Sequence, residues 1–355
     1  MVPVVDLSRR GAVLAGAFAE RVRALTAGGS YLLGDETASF ESEFAASSRG
    51  SVGAVTVSSG AAAVQLALAA LGVGPGDEVI VPAFTAVPTV SAVCAIGAVP
   101  VPVDVEPGTA NLDPSAVATA TTDRTRAVVV VHLYGRPATL PATSLPVVED
   151  AAQAHGAVDD HSRSAAVAYS FYPTKNLGGI GDGGAVVSAD TSLLDRVRNL
   201  RTHGMTAQYV HEAISQNFRM SELEAAWLRL GLVDLDARNE RRRAIAAHYR
   251  RVAPELRWTE PHPGHVHHLC VVRSGHRDVF RSSLAASGIA TAIHYPLAIT
   301  QQPAYRHLER EACPEAERWA AECVSLPCFP ELTDGEVETV ASALTALARD
   351  RRTPV

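Results

Sequence analysis

The sequence predicts an α/β fold, because short strand-like runs alternate with longer helix-like stretches. Seven runs are rich in β-branched residues, and the intervals between them are rich in alanine and leucine. Several of the runs are apolar throughout, which is typical of parallel strands that are covered on both faces. We therefore expect a mostly parallel sheet of seven strands. The strand candidates are Val55–Val57, Glu78–Val81, Val99–Val103, Ala127–Val131, Pro146–Val148, Ala168–Phe171 and Ala185–Val187.

Helix candidates fill the intervals and continue into the C-terminal part of the chain. The longest, Ser221–Arg251, contains the basic stretch Arg238–Arg243. We interpret this stretch as a solvated helix face rather than a nucleic-acid patch, because the total charge is acidic. The other helix candidates are Ala61–Leu71, Pro88–Ile96, Asp278–Ser287 and two segments near the C-terminus, and further strands are expected over Val266–Val272 and Ile289–His294.

A change of composition after Arg251 predicts two domains. Three prolines and a glycine follow between Pro254 and Gly264, and such clusters mark boundaries. We assign residues 1–253 to a large α/β domain and residues 254–355 to a smaller α+β domain. Packing of the N-terminal segment, residues 1–30, against the smaller domain is left open.

Composition and charge exclude several classes of protein. The 355 residues include 31 basic and 38 acidic side chains, and the net charge of −7 argues against a nucleic-acid partner. No apolar run approaches the roughly 20 residues that span a bilayer. The five cysteines are scattered and lack C-x-x-C spacing, so they are interpreted as reduced thiols. We expect a cytoplasmic protein with no membrane partner.

The first candidate for chemistry is a turn of small residues between a strand and a helix. Ser59, Gly60 and Ala61 follow the first strand and lead directly into a helix. The free N–H groups and the positive dipole end of such a helix can bind an anion. An ordinary helix N-cap, formed by Ser58 or Ser59, explains the same pattern.

The second candidate is the acidic pair Glu149-Asp150, at the end of an apolar strand. Ligands of open parallel sheets bind outside the carboxyl ends of the strands, so an acid at this position is suited to face a bound heterocycle. A helix N-cap is again the alternative, since aspartate is a favoured capping residue.

The third candidate is Lys175, in a loop between two predicted strands. Five glycines stand among residues 178–184, which indicates tight backbone packing and disfavours an ordinary surface lysine. A desolvated lysine can lose its proton and act as an amine nucleophile. The segment Gly179–Gly184 matches G-x-G-x-x-G, but it precedes a strand, whereas a dinucleotide fingerprint follows a strand and opens a helix. We therefore reject a dinucleotide site.

Together the three segments predict one reaction site. A helix N-terminus would bind a phosphate, Asp150 would face a ring nitrogen, and Lys175 could form an imine. Pyridoxal 5'-phosphate (PLP) requires this combination of an anchor, a lysine Schiff base and a carboxylate partner for its pyridinium nitrogen. The sequence therefore predicts a PLP enzyme.

The same residues carry a resemblance to a known family, the DegT/DnrJ/EryC1/StrS sugar aminotransferases of the aspartate aminotransferase fold (fold type I). The matching segments cover about nine-tenths of the chain in order. They are Tyr31–Gly34, Gly76–Thr85, His132–Gly135, Val148–His155, Ser170–Lys175, Gly181–Gly184, Asn217–Met220, His294–Pro296 and Leu326–Leu332.

The resemblance implies roles at the matching positions. Lys175 would form the Schiff base and shuttle the proton, and Asp150 would pair with the pyridine nitrogen. Gln153 would lie beside the cofactor ring. Ser170 would bind the phosphate together with the Ser59-Gly60-Ala61 turn. Asn217 would reach the phosphate of the neighbouring subunit's cofactor, which implies a homodimer with active sites at the interface.

Two departures from the family pattern concern the cofactor contacts. Ala61 stands where the family usually has threonine, so one hydroxyl donor to the phosphate is missing. Ala86 stands where the family usually has an aromatic residue that stacks on the pyridine ring. Phe84 or another ring is expected to replace it, unless the cofactor is held less tightly.

The candidate substrate contacts are aromatic and histidine side chains in the matching segments and near them. They are Tyr31, Tyr134, His268, His294 and Tyr295. Tyr134 could instead only pack, and the pair His294-Tyr295 could simply end a strand. His265 and His267 share one face of a predicted strand, but no cysteine or acid stands at zinc-finger spacing, so we expect no metal site.

Three functions remain open from the sequence. The first is amino transfer, with L-glutamate as the expected donor by family and a keto group of a nucleotide-linked (dTDP- or UDP-) deoxysugar as the acceptor. The second is PLP-dependent elimination or dehydration; the dehydrating branch of the family has histidine at the position of Lys175, which argues against it. The third is a non-catalytic regulatory homologue, which the intact Lys175 and Asp150 disfavour.

Overall fold

The computed structural model describes residues 1–157, 160–308 and 310–349, and its centre is a seven-stranded sheet. The strand order is β1-β7-β6-β5-β4-β2-β3, and only β7 runs antiparallel to its neighbours. The predicted mostly parallel α/β sheet is thus confirmed. The strands are β1 (Gly53–Val57), β2 (Glu78–Pro82), β3 (Val99–Val103), β4 (Thr125–Val131), β5 (Val147–Asp150), β6 (Ala166–Ser170) and β7 (Gly184–Ser188).

Helices cover both faces of this sheet, which explains why its strands are apolar throughout. On one face, Val55 and Val57 of β1 pack in a cluster with residues of α3, α4 and α6. On the other face, Ala54 packs with residues of α2 and α7. The helices of this part are α1 (Leu7–Gly28), α2 (Asp35–Ala46), α3 (Gly60–Ala70), α4 (Val87–Ala95), α5 (Pro114–Ala120), α6 (Thr191–Arg201), α7 (Glu222–Leu232) and α8 (Leu235–Val252).

The single long helix expected over Ser221–Arg251 is wrong, because the chain forms two helices there. Ser221 is the N-cap of α7, and α7 ends at Leu232. The carboxylate of Asp234 does not cap α8 but binds the guanidinium of Arg10, at 2.8 and 2.9 Å. This ion pair joins the break to α1, a tertiary contact that helical periodicity does not reveal.

The C-terminal part forms a second, antiparallel sheet of three strands. A short hairpin, β8 (Met205–Ala207) and β9 (Val210–His211), precedes it in the chain. The sheet order is β10-β11-β12. Its elements are β10 (Arg257–Trp258), β11 (Cys270–Arg273) and β12 (Cys323–Leu326), with helices α9 (Arg277–Ala286), α10 (Pro314–Glu322) and α11 (Asp334–Arg349).

Two strand predictions in this part need correction. The strand expected over Val266–Val272 begins only at Cys270, because His267 adopts a positive φ of 44° and the preceding backbone bonds to the loop after β4. The segment Ile289–His294 forms no continuous strand; it makes isolated bridges, one of them from Ile289 to Val2. Its pairing partners are single residues far apart in the chain, which a local pattern does not show.

The N-terminal segment contacts the C-terminal part of the chain as well as α7. Val2 pairs with Ile289, and the guanidinium of Arg9 binds both carboxylate oxygens of Glu336 at 2.7 Å. These contacts bring residues before α1 to the region between the two sheets. Among the described residues, no helix combines the length and the apolar composition that crossing a membrane requires.

Candidate active site

A cavity of about 810 Å³ lies at the carboxyl ends of the central strands. Val131, Asp150 and Ser170 line it, and each is the last residue of its strand, β4, β5 and β6. This is the edge at which open α/β sheets bind ligands. The cavity also reaches residues of the C-terminal part, including His268 and His294. The fold thus brings the separate sequence motifs to one place.

The small-residue turn forms one wall of the cavity. Ser59 is the N-cap of α3, and its hydroxyl accepts a hydrogen bond from the backbone N–H of Ala62 at 3.1 Å. The capping interpretation is therefore correct, and it coexists with the cavity position because Ser59, Gly60 and Ala61 all line the cavity. A Cβ at Gly60 would lie 2.5 Å from the Cβ of Ser170. Glycine is thus required for the turn to approach Ser170.

Asp150 is held by two hydrogen bonds at the end of β5. The hydroxyl of Thr89 donates to Oδ2 at 2.7 Å, and the backbone N–H of Ala152 donates to Oδ1 at 3.1 Å. Asp150 is buried and lines the cavity. Both hydrogen bonds hold the carboxyl group in place at the edge of the sheet, where it can pair with a ring nitrogen.

Lys175 lines the cavity from a turn after β6, and it is the only lysine in the sequence. Burial lowers the pKa of its amine to about 8, and the negative charge of Asp150 limits that fall. A substantial fraction of the amine is therefore neutral near neutral pH, as a nucleophile or a proton acceptor requires. The lysine count singles this residue out from the sequence alone.

The glycine cluster after Lys175 packs against a buried carboxyl group. A Cβ at Gly178 would lie 2.1 Å from the carbonyl oxygen of Pro173, and a Cβ at Gly179 would lie 1.4 Å from Oε1 of Glu224. Only glycine fits these positions, as the spacing predicts. Burial raises the pKa of Glu224 to about 7. Hydrogen bonds from the backbone N–H groups of Gly181 and Ile180 oppose this rise, because they favour the ionised carboxylate.

Gln153 connects the cavity to two tyrosines. Its Oε1 accepts a hydrogen bond from the backbone N–H of Tyr134 at 2.7 Å, and its Nε2 donates to the hydroxyl of Tyr295 at 3.0 Å. Gln153 and Tyr295 line the cavity, and burial raises the pKa of Tyr295 to about 12. Tyr134 is fully buried behind them, and its hydroxyl donates to the carbonyl oxygen of His294 at 2.5 Å. In this structure Tyr134 therefore packs and positions other residues, which is the alternative left open by the sequence, and its expected substrate contact stays a prediction.

Two histidines complete the far wall in the neutral form. Nδ1 of His268 lies 3.2 Å from Oδ1 of Asn176, and Nδ1 of His294 lies 2.9 Å from the hydroxyl of Ser325. Burial, reinforced by the positive charge of Lys175, holds the pKa of both histidines below the usual value. They can donate or accept hydrogen bonds without adding charge to the site.

Phe84, which was expected to replace the missing aromatic at position 86, lies behind the cavity wall. Ala86 lines the cavity at the start of α4. Phe84 is fully buried and packs on Trp319 and on the ring of Tyr295, with centroids 6.3 Å apart in each case. It is absent from the described residues of the cavity wall. Phe84 thus packs behind Tyr295 in this structure, and its expected cofactor contact stays a prediction.

Tyr31 and Asn217 lie outside the cavity of their own chain. The ring of Tyr31 is exposed, and its carbonyl oxygen accepts a hydrogen bond from the backbone N–H of Glu222 at 3.0 Å. Asn217 is exposed too, and its Oδ1 accepts from Nε of Arg219 at 2.9 Å. Neither can contact a ligand in this cavity from its present position.

Two residues of the site carry no local sequence signal. Thr89 binds Asp150 from α4, 61 positions away. Arg242 lines the cavity from α8, within the basic stretch interpreted as solvated; it is in fact buried, and its Nη1 donates to the carbonyl oxygen of Cys328 at 2.5 Å.

The rings of His265 and His267 stack with centroids 3.7 Å apart. In the part of the chain that the structure describes, no cluster has the ligands for a metal ion.

The cavity fits pyridoxal phosphate. Gly60 lets the N-terminus of α3 approach Ser170 closely, since a Cβ there would lie 2.5 Å from that of Ser170, and this places a helix end suited to an anion beside a serine hydroxyl. The Asp150 carboxyl group is held by a hydrogen bond from Thr89, and Lys175 is an amine of lowered pKa in the same cavity. These are the anion site, the ring-nitrogen partner and the imine-forming amine that the cofactor requires.

Comparisons with known proteins agree with this chemistry. The model of the DegT/DnrJ/EryC1/StrS aminotransferase family matches residues 14–345. A dTDP-3-amino-3,4,6-trideoxy-alpha-D-glucose transaminase from Streptomyces venezuelae is 43% identical, over 97% of this chain and 95% of that protein. The erythromycin biosynthesis sensory transduction protein EryC1 of Saccharopolyspora erythraea is also 43% identical, over 97% and 99% of the two chains.

A solved structure shows the same fold in detail. The crystal structure of S. venezuelae DesV in complex with a ketimine intermediate superimposes with a TM-score of 0.94, at 42% identity and over 98% of both chains. The predicted family, fold type and cofactor are therefore confirmed. This chain belongs to the DegT/DnrJ/EryC1/StrS aminotransferase family, and it is a PLP-dependent aminotransferase.

Proposed function

We propose that this enzyme moves an amino group from an amino acid, with L-glutamate as the first candidate, to a keto group of a nucleotide-linked deoxysugar. The observation that carries the proposal is that Lys175, with its lowered pKa, and Asp150 share one cavity. Relatives support the acceptor class: they include transaminases named for a dTDP-linked aminosugar and for UDP-N-acetyl-3-dehydro-alpha-D-glucosamine.

The residues of this chain divide the work of such a reaction. When bound, pyridoxal phosphate supplies an electron sink for the substrate carbanion. The Asp150 carboxylate holds a proton on the ring nitrogen, and the Thr89 hydroxyl fixes the orientation of that carboxylate. The neutral Lys175 amine accepts a proton from the substrate carbon and returns it. The α3 N-terminus and Ser170 would hold its phosphate.

The neutral histidines suit an acceptor that has no charge near its reacting carbon. His268, His294 and Tyr295 present ring nitrogens and a phenol hydroxyl to the cavity. Such groups hydrogen-bond sugar hydroxyl and keto oxygens without the cost of burying a charge. Most of the remaining wall is apolar, which accommodates the deoxygenated carbons of a deoxysugar.

The active unit in this proposal is a homodimer. Asn217 lies on the surface, outside its own cavity, where a neighbouring subunit can use it. Tyr209 and Ile214, in the same part of the chain, are strongly exposed apolar side chains, at 85% and 104%. Exposed apolar patches of this kind mark interaction sites. The partner's Asn217 would supply a phosphate donor where Ala61 lacks a hydroxyl.

Mixing two inactive variants tests the shared site. Asn217→Ala and Lys175→Ala lie in different subunits of one composite site, so mixed dimers contain one intact site and regain part of the activity. The matched control mixes Lys175→Ala with Asp150→Asn, which fall in the same subunit's cavity; each mixed dimer then keeps no intact site. Equal recovery in both mixtures, or an active monomer in sedimentation, contradicts the arrangement.

The cellular setting follows from the thiols. Cys94, Cys270, Cys323 and Cys328 are free thiols, and the last three of them are buried. Free thiols are typical of a reducing compartment. We therefore propose the cytoplasm.

Product analysis tests the function itself. A panel of dTDP- and UDP-linked keto sugars is incubated with the holoenzyme and ¹⁵N-glutamate, and the products are weighed by mass spectrometry. Amino transfer gives an aminosugar that carries ¹⁵N, and Lys175→Ala lowers its yield at least about 100-fold. Loss of water without a donor indicates dehydration.

Absence of any turnover indicates a regulatory homologue. The relatives named as a sensory transduction protein and as a pleiotropic regulatory protein make this the second candidate. Either of these last two outcomes contradicts the proposal.

A further inference from the structure

Arg242 is exceptional among the arginines of α8, because it is buried without a carboxylate partner. Three other arginines of the helix have carboxylate partners: Arg238 binds Glu331, Arg241 binds Asp334, and Arg243 binds Glu240. In the described part of the chain, Arg242 forms no ion pair. Its hydrogen bonds to carbonyl oxygens all start from Nη1.

The acceptors of Arg242 are backbone carbonyl oxygens. Nη1 lies 3.4 Å from those of His267 and His268 and 2.5 Å from that of Cys328. These bonds fix the guanidinium but do not neutralise it. Burial lowers the pKa of Arg242 to about 10, which still leaves the group charged at neutral pH. A buried cation without a counter-ion is costly unless an anion pairs with it.

The position of Arg242 on the cavity wall indicates which kind of anion can bind to it. It lines the same cavity as Lys175, and His268, which also lines the cavity, contacts both Arg242 and Asn176. The carbonyl oxygen of His268 faces Arg242, whereas its ring contacts Asn176, the residue after Lys175. A substrate whose amino group is at Lys175 could therefore extend its other end past His268 toward Arg242.

We propose that Arg242 binds the distal carboxylate of a dicarboxylic amino donor of the glutamate class. The free edge of the guanidinium supplies the planar, bidentate donors that carboxylates prefer. The inference rests on the proposed function, since it concerns the donor of that reaction. It assigns Arg242 as a binding residue for the donor and leaves the sugar to the neutral part of the wall.

The test separates the donor half-reaction from the sugar. The holoenzyme is mixed with L-glutamate or with L-alanine, without any sugar, and the change in cofactor absorbance is followed. Calorimetry measures the binding of glutarate, a dicarboxylate that has no amino group and cannot react. Arg242→Gln is expected to weaken glutarate and glutamate binding about 10- to 100-fold, as for a lost charge-assisted hydrogen bond, and to change alanine by less than about 2-fold.

Arg250→Gln is the matched control. Arg250 lies on the same helix, donates to the carbonyl oxygen of Thr259 at 2.6 Å and stacks on Trp258, away from the cavity wall. It should bind glutarate as the unaltered enzyme does. If Arg242→Gln does not fold, Arg242→Lys keeps the charge without the bidentate fork, and it should weaken glutarate several-fold.

Three results overturn the inference. One is an unchanged glutarate affinity in the folded Arg242 variant. Another is an equal loss for alanine and glutamate, which would place Arg242 at the α-carboxylate. The third is a loss confined to the half-reaction with a keto sugar nucleotide, which would assign the guanidinium to an anionic group of the sugar. If no keto sugar is accepted, the proposed acceptor fails, while the sugar-free measurements still decide the role of Arg242.

Discussion

The titration of Lys175 can be observed without interference, because the chain contains one lysine. An apoenzyme produced with ¹³Cε-labelled lysine has a single labelled side chain, and its chemical shift reports the protonation of Nζ. Burial lowers the pKa of this amine from 10.5 to about 8. We expect a single resonance that titrates with a midpoint near pH 8.

The magnitude follows from the two pKa values. At pH 7.5, an amine with a pKa of 8 is neutral in about a quarter of the molecules, whereas an ordinary lysine is neutral in about one in a thousand. The cavity thus increases the concentration of the reactive form by more than about 200-fold. The rate of cofactor uptake by the apoenzyme should rise with pH through the same midpoint, because the neutral amine is the nucleophile.

Asp150→Asn supplies the perturbation. The negative charge of Asp150 raises the pKa of Lys175, in opposition to burial. Its removal should therefore move the midpoint below that of the unaltered apoenzyme and leave a larger neutral fraction at pH 7.5. The same variant should retain the cofactor but lose most of its turnover, because the ring nitrogen loses its anionic partner.

Refutation of this reasoning is straightforward. A midpoint near 10.5 in the apoenzyme would show that Lys175 is hydrated and that burial does not activate it. A midpoint that stays constant or rises in Asp150→Asn would show that the two groups do not interact. An Asp150→Asn enzyme with full turnover would remove Asp150 from the mechanism.

Two further predictions concern residues packed beside the site. Gly60→Ala should destabilise the apoenzyme by about 1–3 kcal/mol, because the new Cβ collides with Ser170. It should also weaken phosphate binding in an equilibrium titration. The control is Gly16→Ala in α1, where a Cβ meets nothing within 4 Å, and this variant should be stabilising. If the two variants melt alike, the close approach at Gly60 is unimportant. Glu224→Gln should change the pH dependence of stability, because a carboxyl whose pKa is raised from 4.5 to about 7 costs stability as pH rises through that interval. The melting temperature of Glu224→Gln relative to the unaltered chain should therefore increase from pH 5 to pH 8, and an exposed control, Glu240→Gln, should show no such trend; a constant difference for Glu224→Gln would mean that Glu224 does not titrate there.

The site residues that could be predicted from the sequence are those that stand in a recognisable local pattern. Asp150 ends an apolar strand, and Lys175 stands beside a glycine cluster, so each could be found from its immediate neighbours. The sheet edge then places them together, because the carboxyl ends of parallel strands share one edge. The fold class and the family were predictable for the same reason, since strand and helix periodicities and motifs are local.

The parts that escaped prediction depend on tertiary contacts. Arg242 stands in a run of arginines that looks solvated, and only the packing of α8 against the segment before β11 buries it. Tyr134 and Phe84 are aromatic residues close to the site in sequence, but both point into the core behind the cavity wall. The break between α7 and α8 depends on Arg10, more than 200 positions away. Periodicity and composition contain no information about such partners.

The most direct measurement combines borohydride reduction of the holoenzyme with peptide mapping. We expect one reduced cofactor per chain, attached to Lys175. Incubation with L-glutamate before the reduction should abolish the label, since the amino group has moved to the cofactor, and a keto sugar nucleotide that serves as acceptor should restore it. A label on the α-amine of Met1, or a label on Lys175 that glutamate does not diminish, would contradict the account.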